Sequence, residues 1–143
     1  MYIEPGLEEL VHNLLGSLQP NMATMMGIEF SKLTKDECVA TMPVNEATVQ
    51  PFRMLHGGAS VALAETLGSV AANFCVDGEG YCVGLEINAN HVRSVRNGFV
   101  IGITKPIHLG VSTQVWQIDI KDERERLVCT SRLTMAVKKN KKG

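Results

Sequence analysis

A chain of 143 residues, 45% hydrophobic and 20% charged, has the make-up of one ordinary globular domain over 1–143. Its net charge of −1 argues against electrostatic capture by nucleic acid or by an anionic membrane. No apolar run is long enough to span a bilayer and no charged-then-apolar leader opens the chain, so a cytoplasmic protein is expected.

Leu7–Leu18 comes first in chain order and has helical spacing. Leu7, Leu10, Val11, Leu14, Leu15 and Leu18 share a face, and Gly16 and Pro20 limit the run. Residues 1–25 therefore read as an N-terminal helical segment. Met22, Met25 and Met26 look like a ligand-facing patch, although methionines at such spacing ordinarily fill a core. Gly27–Leu33 and Glu37–Val44 read as strands, with the polar Thr34-Lys35-Asp36 as the turn between them. Pro51 keeps Gln50 extended, and a helix follows from about Gly58 to Phe74. Asp77–Gly80 is a turn.

The remainder is β. Tyr81–Val95 is a long strand, Asn97-Gly98 a hairpin signal and Phe99–Ile107 the next strand, broken by His108-Leu109-Gly110. Gln114–Ile120 alternates: Val115, Gln117 and Asp119 face one side, Trp116, Ile118 and Ile120 the other. Asp122–Arg126 is a charged turn and Leu127–Val137 closes the sheet. The basic end, 138–143, reads as a solvated tail. One helix arriving among antiparallel strands must cover a face of the sheet, which makes the fold class α+β. Cys38, Cys75, Cys82 and Cys129 form no C-x-x-C pair and sit in apolar contexts. They read as small buried hydrophobes in a reducing compartment, and no metal site is expected.

The segment Gln50–Ser69, QPFRMLHGGASVALAETLGS, carries the chemistry. Gly57 and Gly58 let backbone approach a ligand closely, and a helix beginning there aims free N–H groups at it. Glu65 is an acid inside a small, apolar helix, where desolvating a carboxylate is costly. A lone helical Glu is ordinarily a surface residue or half of an ion pair, and Gly-Gly can be a mere turn. The two together favour function, because a carboxylate with backbone donors suffices to hydrolyse an acyl group. Gly57 and Glu65 are eight residues apart, about 12 Å of helical rise. One thioester carbonyl cannot touch both within one chain, since reacting groups must lie about 3 Å away. Either the pair is not a site, or a two-fold related copy supplies one of them.

The stretches MPVNEATVQPFRMLHGGASVALAETLGS, VGLEINANHVRS, KPIHLG and QVWQIDI together resemble the hotdog-fold acyl-CoA thioesterases, over roughly Met26 to Val137. The likeness is to the branch that acts on 1,4-dihydroxy-2-naphthoyl-CoA in menaquinone synthesis and proofreads aryl carrier proteins in enterobactin synthesis. It implies an antiparallel sheet wrapped round one long helix, and composite sites in homodimers that pair into homotetramers. It also implies an acyl-CoA or acyl carrier protein as substrate, with no cofactor because CoA is part of the substrate. Glu65 then attacks the thioester carbon or deprotonates a water that does. The Gly57 amide donates to the oxyanion. Gln50 and His56 orient and polarise the thioester. Ser69, one turn beyond Glu65, holds the water.

The resemblance places CoA contacts at Gly84, at His91, Val92, Arg93 and Ser94, and at His108, Leu109, Gly110, Val111, Ser112 and Thr113. Arg93 offers a cation; the 108–113 turn offers hydroxyls and free amides suited to a pyrophosphate. Relatives often carry a basic residue in that turn where this chain has Val111-Ser112-Thr113, so Lys105 or the basic tail is left to supply the charge. A hotdog dehydratase pairs His with an acid too, but its flanking patterns are missing. The alternative from another class is a non-catalytic acyl-CoA binding protein or sensor. A hotdog regulator normally carries a DNA-binding helix-turn-helix, for which the fold leaves no room, and a binder without turnover has little use for a desolvated Glu65.

Overall fold

The computed structural model of the protein describes residues 1–76 and 80–139. The elements run β1 (Tyr2–Ile3), α1 (Glu8–Leu15), α2 (Met22–Met25), β2 (Glu29–Leu33), β3 (Cys38–Pro43), α3 (Gly57–Phe74), β4 (Gly80–His91), β5 (Phe99–Leu109), β6 (Thr113–Lys121) and β7 (Leu127–Lys139). All seven strands form one sheet in the order β1-β2-β3-β5-β6-β7-β4, antiparallel except for the β1–β2 pair. Residues 77–79 of the expected turn and 140–143 of the basic tail lie outside the described residues. Gly80 already belongs to β4, and Lys138 and Lys139 end β7 rather than starting a tail.

α3 packs on one face of the sheet, against β3, β4, β5, β6 and β7. The alternation expected of β6 holds, because Trp116, Ile118 and Ile120 are fully buried beneath the helix. Small residues let helix and sheet approach closely. A Cβ on Gly68 would lie 2.4 Å from Leu133 Cδ2 of β7, itself fully buried. Gly68→Val is expected to cost about 1–3 kcal/mol by overpacking, outweighing its small gain in helix propensity. Urea unfolding checks this: the midpoint should fall with the slope unchanged. A midpoint equal to wild type would mean that Leu133 yields freely.

Three expectations change. Asn97-Gly98 does not join neighbouring strands: β4 pairs with β7, and β5 pairs with β3 and β6. Gly98 does turn the chain, at φ +77°, and its carbonyl accepts from the Val44 N–H at the end of β3. Only Leu7, Val11 and Leu15 of the α1 stripe pack on the core, while Leu10, Leu14 and Leu18 are exposed. Met22 and Met25 are exposed on α2, and Met26 alone packs inward. The 122–126 turn is organised by the Asp122 carboxylate, which accepts from the Arg124 and Arg126 backbone N–H groups and from Arg126 Nε at 2.8–2.9 Å. Cys38, Cys82 and Cys129 are buried and Cys75 is half-buried, all free. Burial pushes the Cys38 and Cys75 thiols up to about 11, away from reactivity.

Candidate active site

The turn before α3 is built to place His56. Val49 and Leu55 form a bridge across it, Thr48 is buried with its hydroxyl donating to Pro43 O at 2.7 Å, and the His56 N–H donates to Thr48 O at 2.8 Å. His56 is the N-cap of α3: its Nδ1 accepts from the Gly58 N–H at 2.7 Å. An accepting Nδ1 in a neutral imidazole puts the proton on Nε2, so His56 presents an N–H donor. Gln50 Oε1 accepts from the Phe52 N–H, leaving its amide nitrogen to donate.

The Gly57 N–H has no hydrogen-bond partner among the described residues. It sits in the first turn of an 18-residue helix, where the macrodipole adds partial positive charge. His91 lies directly against it, because a Cβ on Gly57 would be 3.0 Å from His91 Nε2. Gln50, Gly57, His91, Val92, Arg93 and Ser94 line one cleft together with Met54, Leu55, Ser60 and Val128. Two loops some forty positions apart in sequence are thus brought to the start of α3. Ser60 was not foreseen; its position one turn after Gly57, on the same helix face, was the available signal.

Glu65 lies elsewhere on the molecule. α3 is continuous from Gly57 to Phe74, so the helical spacing holds and the two groups stand apart in one chain. Gly84 of β4 lies beneath the carboxylate: a Cβ there would be 2.9 Å from Glu65 Oε1. Ser69 Oγ lies 4.0 Å from Met135 Sδ on the same floor. Gly84 therefore belongs with Glu65 and not with the 91–94 segment. The Glu65 side chain is exposed in the single chain. Its face of α3 overhangs β4, the last strand of the sheet, at a residue without a side chain.

The 108–113 segment forms a third place. Gly110 donates to Thr113 O at 2.9 Å, so that amide closes the turn and is not free for a phosphate. His108 and Leu109 extend β5 instead of breaking it, with the side chains of His108, Leu109, Val111 and Ser112 exposed. Leu109, Gly110 and Val111 share a cleft with Lys138 and Lys139. Lys105 is not available there, because it faces Glu37 at 3.4 Å in a different cleft.

Comparison with known proteins decides the family. The Thioesterase superfamily profile matches residues 52–129, the stretch holding α3, β4, β5 and β6. The chain belongs to the thioesterase superfamily. It is 58% identical over 117 residues to the 1,4-dihydroxy-2-naphthoyl-CoA hydrolase of Escherichia coli, covering 82% of this chain and 86% of that one. It is 49% identical over 132 residues to the proofreading thioesterase EntH of Cronobacter turicensis, covering 92% and 93%. A thioesterase crystal structure from Haemophilus influenzae superposes with a TM-score of 0.80 at 49% identity, over 92% of this chain and 87% of that one. The protein is thus a thioester hydrolase with the α+β hotdog fold. None of its described helices is long and apolar enough to cross a membrane.

Proposed function

We propose that this thioesterase hydrolyses an acyl-CoA with an aromatic acyl group to the free acid and CoA, in sites that two copies of the chain complete together. The observation that carries the reading is the layout of α3. A Gly57 amide without a partner among the described residues and a donor-bearing His56 open the helix, and an uncovered Glu65 stands eight residues along the same helix. A helix this apolar on every side is ordinarily covered on every side, and one chain leaves the Val61, Ala62, Glu65 and Ser69 flank half open.

The chemistry follows from the groups. The Glu65 carboxylate takes a proton from a water whose oxygen bonds to the thioester carbon, or itself bonds to that carbon and forms, as CoA leaves, a mixed anhydride that a following water hydrolyses to the free acid and the carboxylate. The carbonyl oxygen becomes an oxyanion facing the partner subunit's Gly57 amide, a donor already oriented before reaction. His56 Nε2–H and the Gln50 amide polarise and orient the carbonyl. The carbon–sulfur bond breaks, CoA leaves as thiolate, and a proton returns to sulfur. Ser69 positions the attacking water. No cofactor enters. The dimers are taken to pair into tetramers in the cytoplasm.

The naphthoyl-CoA hydrolase relative makes 1,4-dihydroxy-2-naphthoyl-CoA, and with it a place in menaquinone synthesis, the leading substrate. The EntH relative favours a second reading, proofreading of misacylated aryl carrier protein. A kcat/KM panel across aryl-CoAs, fatty acyl-CoAs and aryl carrier protein thioesters, followed by thiol release, tests both. Preference for aryl-CoA is expected. A preference for the carrier protein selects the second reading, and absence of thiol release from every member contradicts both.

Arg93 is assigned to CoA phosphate, because it is exposed at the cleft rim beside Ser94 and a guanidinium pairs with phosphate in two-point fashion. Arg93→Ala is expected to raise KM for acyl-CoA about tenfold, some 1.4 kcal/mol. It should leave kcat/KM for an N-acetylcysteamine thioester, which lacks those phosphates, nearly unchanged. Equal losses on both substrates would place Arg93 in support of the fold.

A further inference from the structure

The cleft at the start of α3 is lined by a hydroxyl that the fold leaves unused. Ser60 is 1% exposed, yet its hydroxyl has no hydrogen-bond partner among the described residues. No fully enclosed side-chain oxygen of those residues lacks a partner, so the Ser60 hydroxyl keeps an opening, and the cleft that Ser60 lines supplies it. The usual partner of a helical serine is the carbonyl four residues back. Here that is His56 O, which already accepts from the Ala59 N–H at 2.9 Å and the Ser60 N–H at 3.2 Å. The Gly58 N–H is taken by His56 Nδ1. Among the described residues, the Gly57 N–H and the Ser60 hydroxyl are therefore what the first turn of α3 has left to offer a ligand.

Helical side chains lean toward the N-terminus, so the Ser60 hydroxyl lies over the turn that opens at Gly57. Residues three apart on a helix are neighbours, about 5–6 Å from each other. Met54, Leu55 and Val128 give the same cleft an apolar lining, and Arg93 stands at its rim. A thioester with its carbonyl on Gly57 and its phosphates at Arg93 must lay its pantetheine arm across that lining. The arm carries an amide joined to the sulfur through two methylenes, so the amide nitrogen stands about 5 Å from the thioester carbon. That span matches the step from Gly57 to Ser60. An amide laid on an apolar surface needs a hydrogen-bond partner. A hydroxyl can give to its carbonyl or accept from its N–H.

We propose that the Ser60 hydroxyl hydrogen-bonds the pantetheine amide nearest the sulfur and so sets the thioester carbonyl on the Gly57 N–H. The contact rests on the thioester site proposed above and deepens it, because it fixes where the arm lies in the cleft. It separates two kinds of recognition along one substrate. Arg93 holds phosphate at the rim, whereas Ser60 holds the part of the arm that CoA and a carrier protein share.

Substrates cut back from the nucleotide end test the contact. Benzoyl-CoA and S-benzoyl-N-acetylcysteamine both carry the amide. The benzoyl thioester of pentanethiol has the same chain length as the second and lacks it. With the full chain in excess, single turnovers give kcat/KM even for a slow member. Ser60→Ala should lose about five- to tenfold on the two amide-bearing thioesters, the worth of one hydrogen bond, and nothing on the pentanethiol thioester. The urea midpoint should hold or rise, because alanine favours a helix and the hydroxyl it replaces makes no bond in the fold. An equal change on all three thioesters, or no change on any, overturns the contact. Loss on benzoyl-CoA alone overturns it too, by moving the hydroxyl to a farther part of the arm. A fall in the midpoint would give the hydroxyl to the fold and overturn it as well. Glu65→Ala, run on the same three, should lose on every one. Indifference to Glu65→Ala with the Ser60 difference intact would keep the contact and sink the mechanism proposed above.

Discussion

Glu65→Ala is expected to lower kcat by about two to four powers of ten, the range for losing a general base or more. That is about 3–5 kcal/mol of transition-state stabilisation. The urea midpoint should hardly move, because Glu65 is exposed in the single chain and makes no ion pair among the described residues. The expectation follows from the donor set around it. The Gly57 amide, His56 and Gln50 can hold and polarise a carbonyl, but none of them can take a proton from water at neutral pH in the arrangement seen. His56 Nδ1 is occupied by the Gly58 N–H, and its Nε2 carries a proton. A rate within about threefold of wild type, a change of under 1 kcal/mol, would remove Glu65 from the mechanism.

Gly84→Val should cost about a hundredfold in kcat with KM nearly unchanged. A Cβ at Gly84 reaches 2.9 Å from Glu65 Oε1, closer than such atoms approach, so the carboxylate must swing away. Displacing a reacting group by about 1 Å is enough for a loss of that size. The exposed carboxylate has room to move, so the fold should tolerate the change better than the rate does. A rise in KM with kcat preserved would instead restore Gly84 to the CoA contacts that the resemblance implied. Gly84→Ala, with a smaller displacement, should fall between Gly84→Val and wild type.

These two positions show what a sequence can carry. α3 was legible because an uninterrupted small, apolar run after His56-Gly57-Gly58 admits little else, and β6 because its alternation spans the whole strand. α2 and β1 have four and two residues, too few for a period to register. The Asn21 and Thr24 side chains cap α2 reciprocally, the one short-range signal that was available. Asn97-Gly98 misled because a turn signal is local, whereas β4 finds β7 across some forty residues of chain. The site was half legible for the same reason. Residue types and the Gly57–Glu65 spacing stood in the string; that His91 touches Gly57, or that Gly84 lies under Glu65, depends on how β4 meets α3. The apolar neighbours of Glu65 in sequence marked it as unusual, whereas its place beside the open edge of the sheet in the single chain depends on how α3 meets β4.

Sharing of the site between two chains is tested most directly by mixing Glu65→Ala with His56→Ala, each inactive or nearly so alone. After subunit exchange a heterodimer holds one site with both residues intact and one with neither. With random exchange of equal amounts, activity should return to about a quarter of wild type per subunit. Mass spectrometry of the intact assembly reports whether exchange has occurred. Recovery of activity in step with the heterodimer fraction is the predicted result. No recovery, with heterodimers present and both parents inactive, would contradict a site shared between chains.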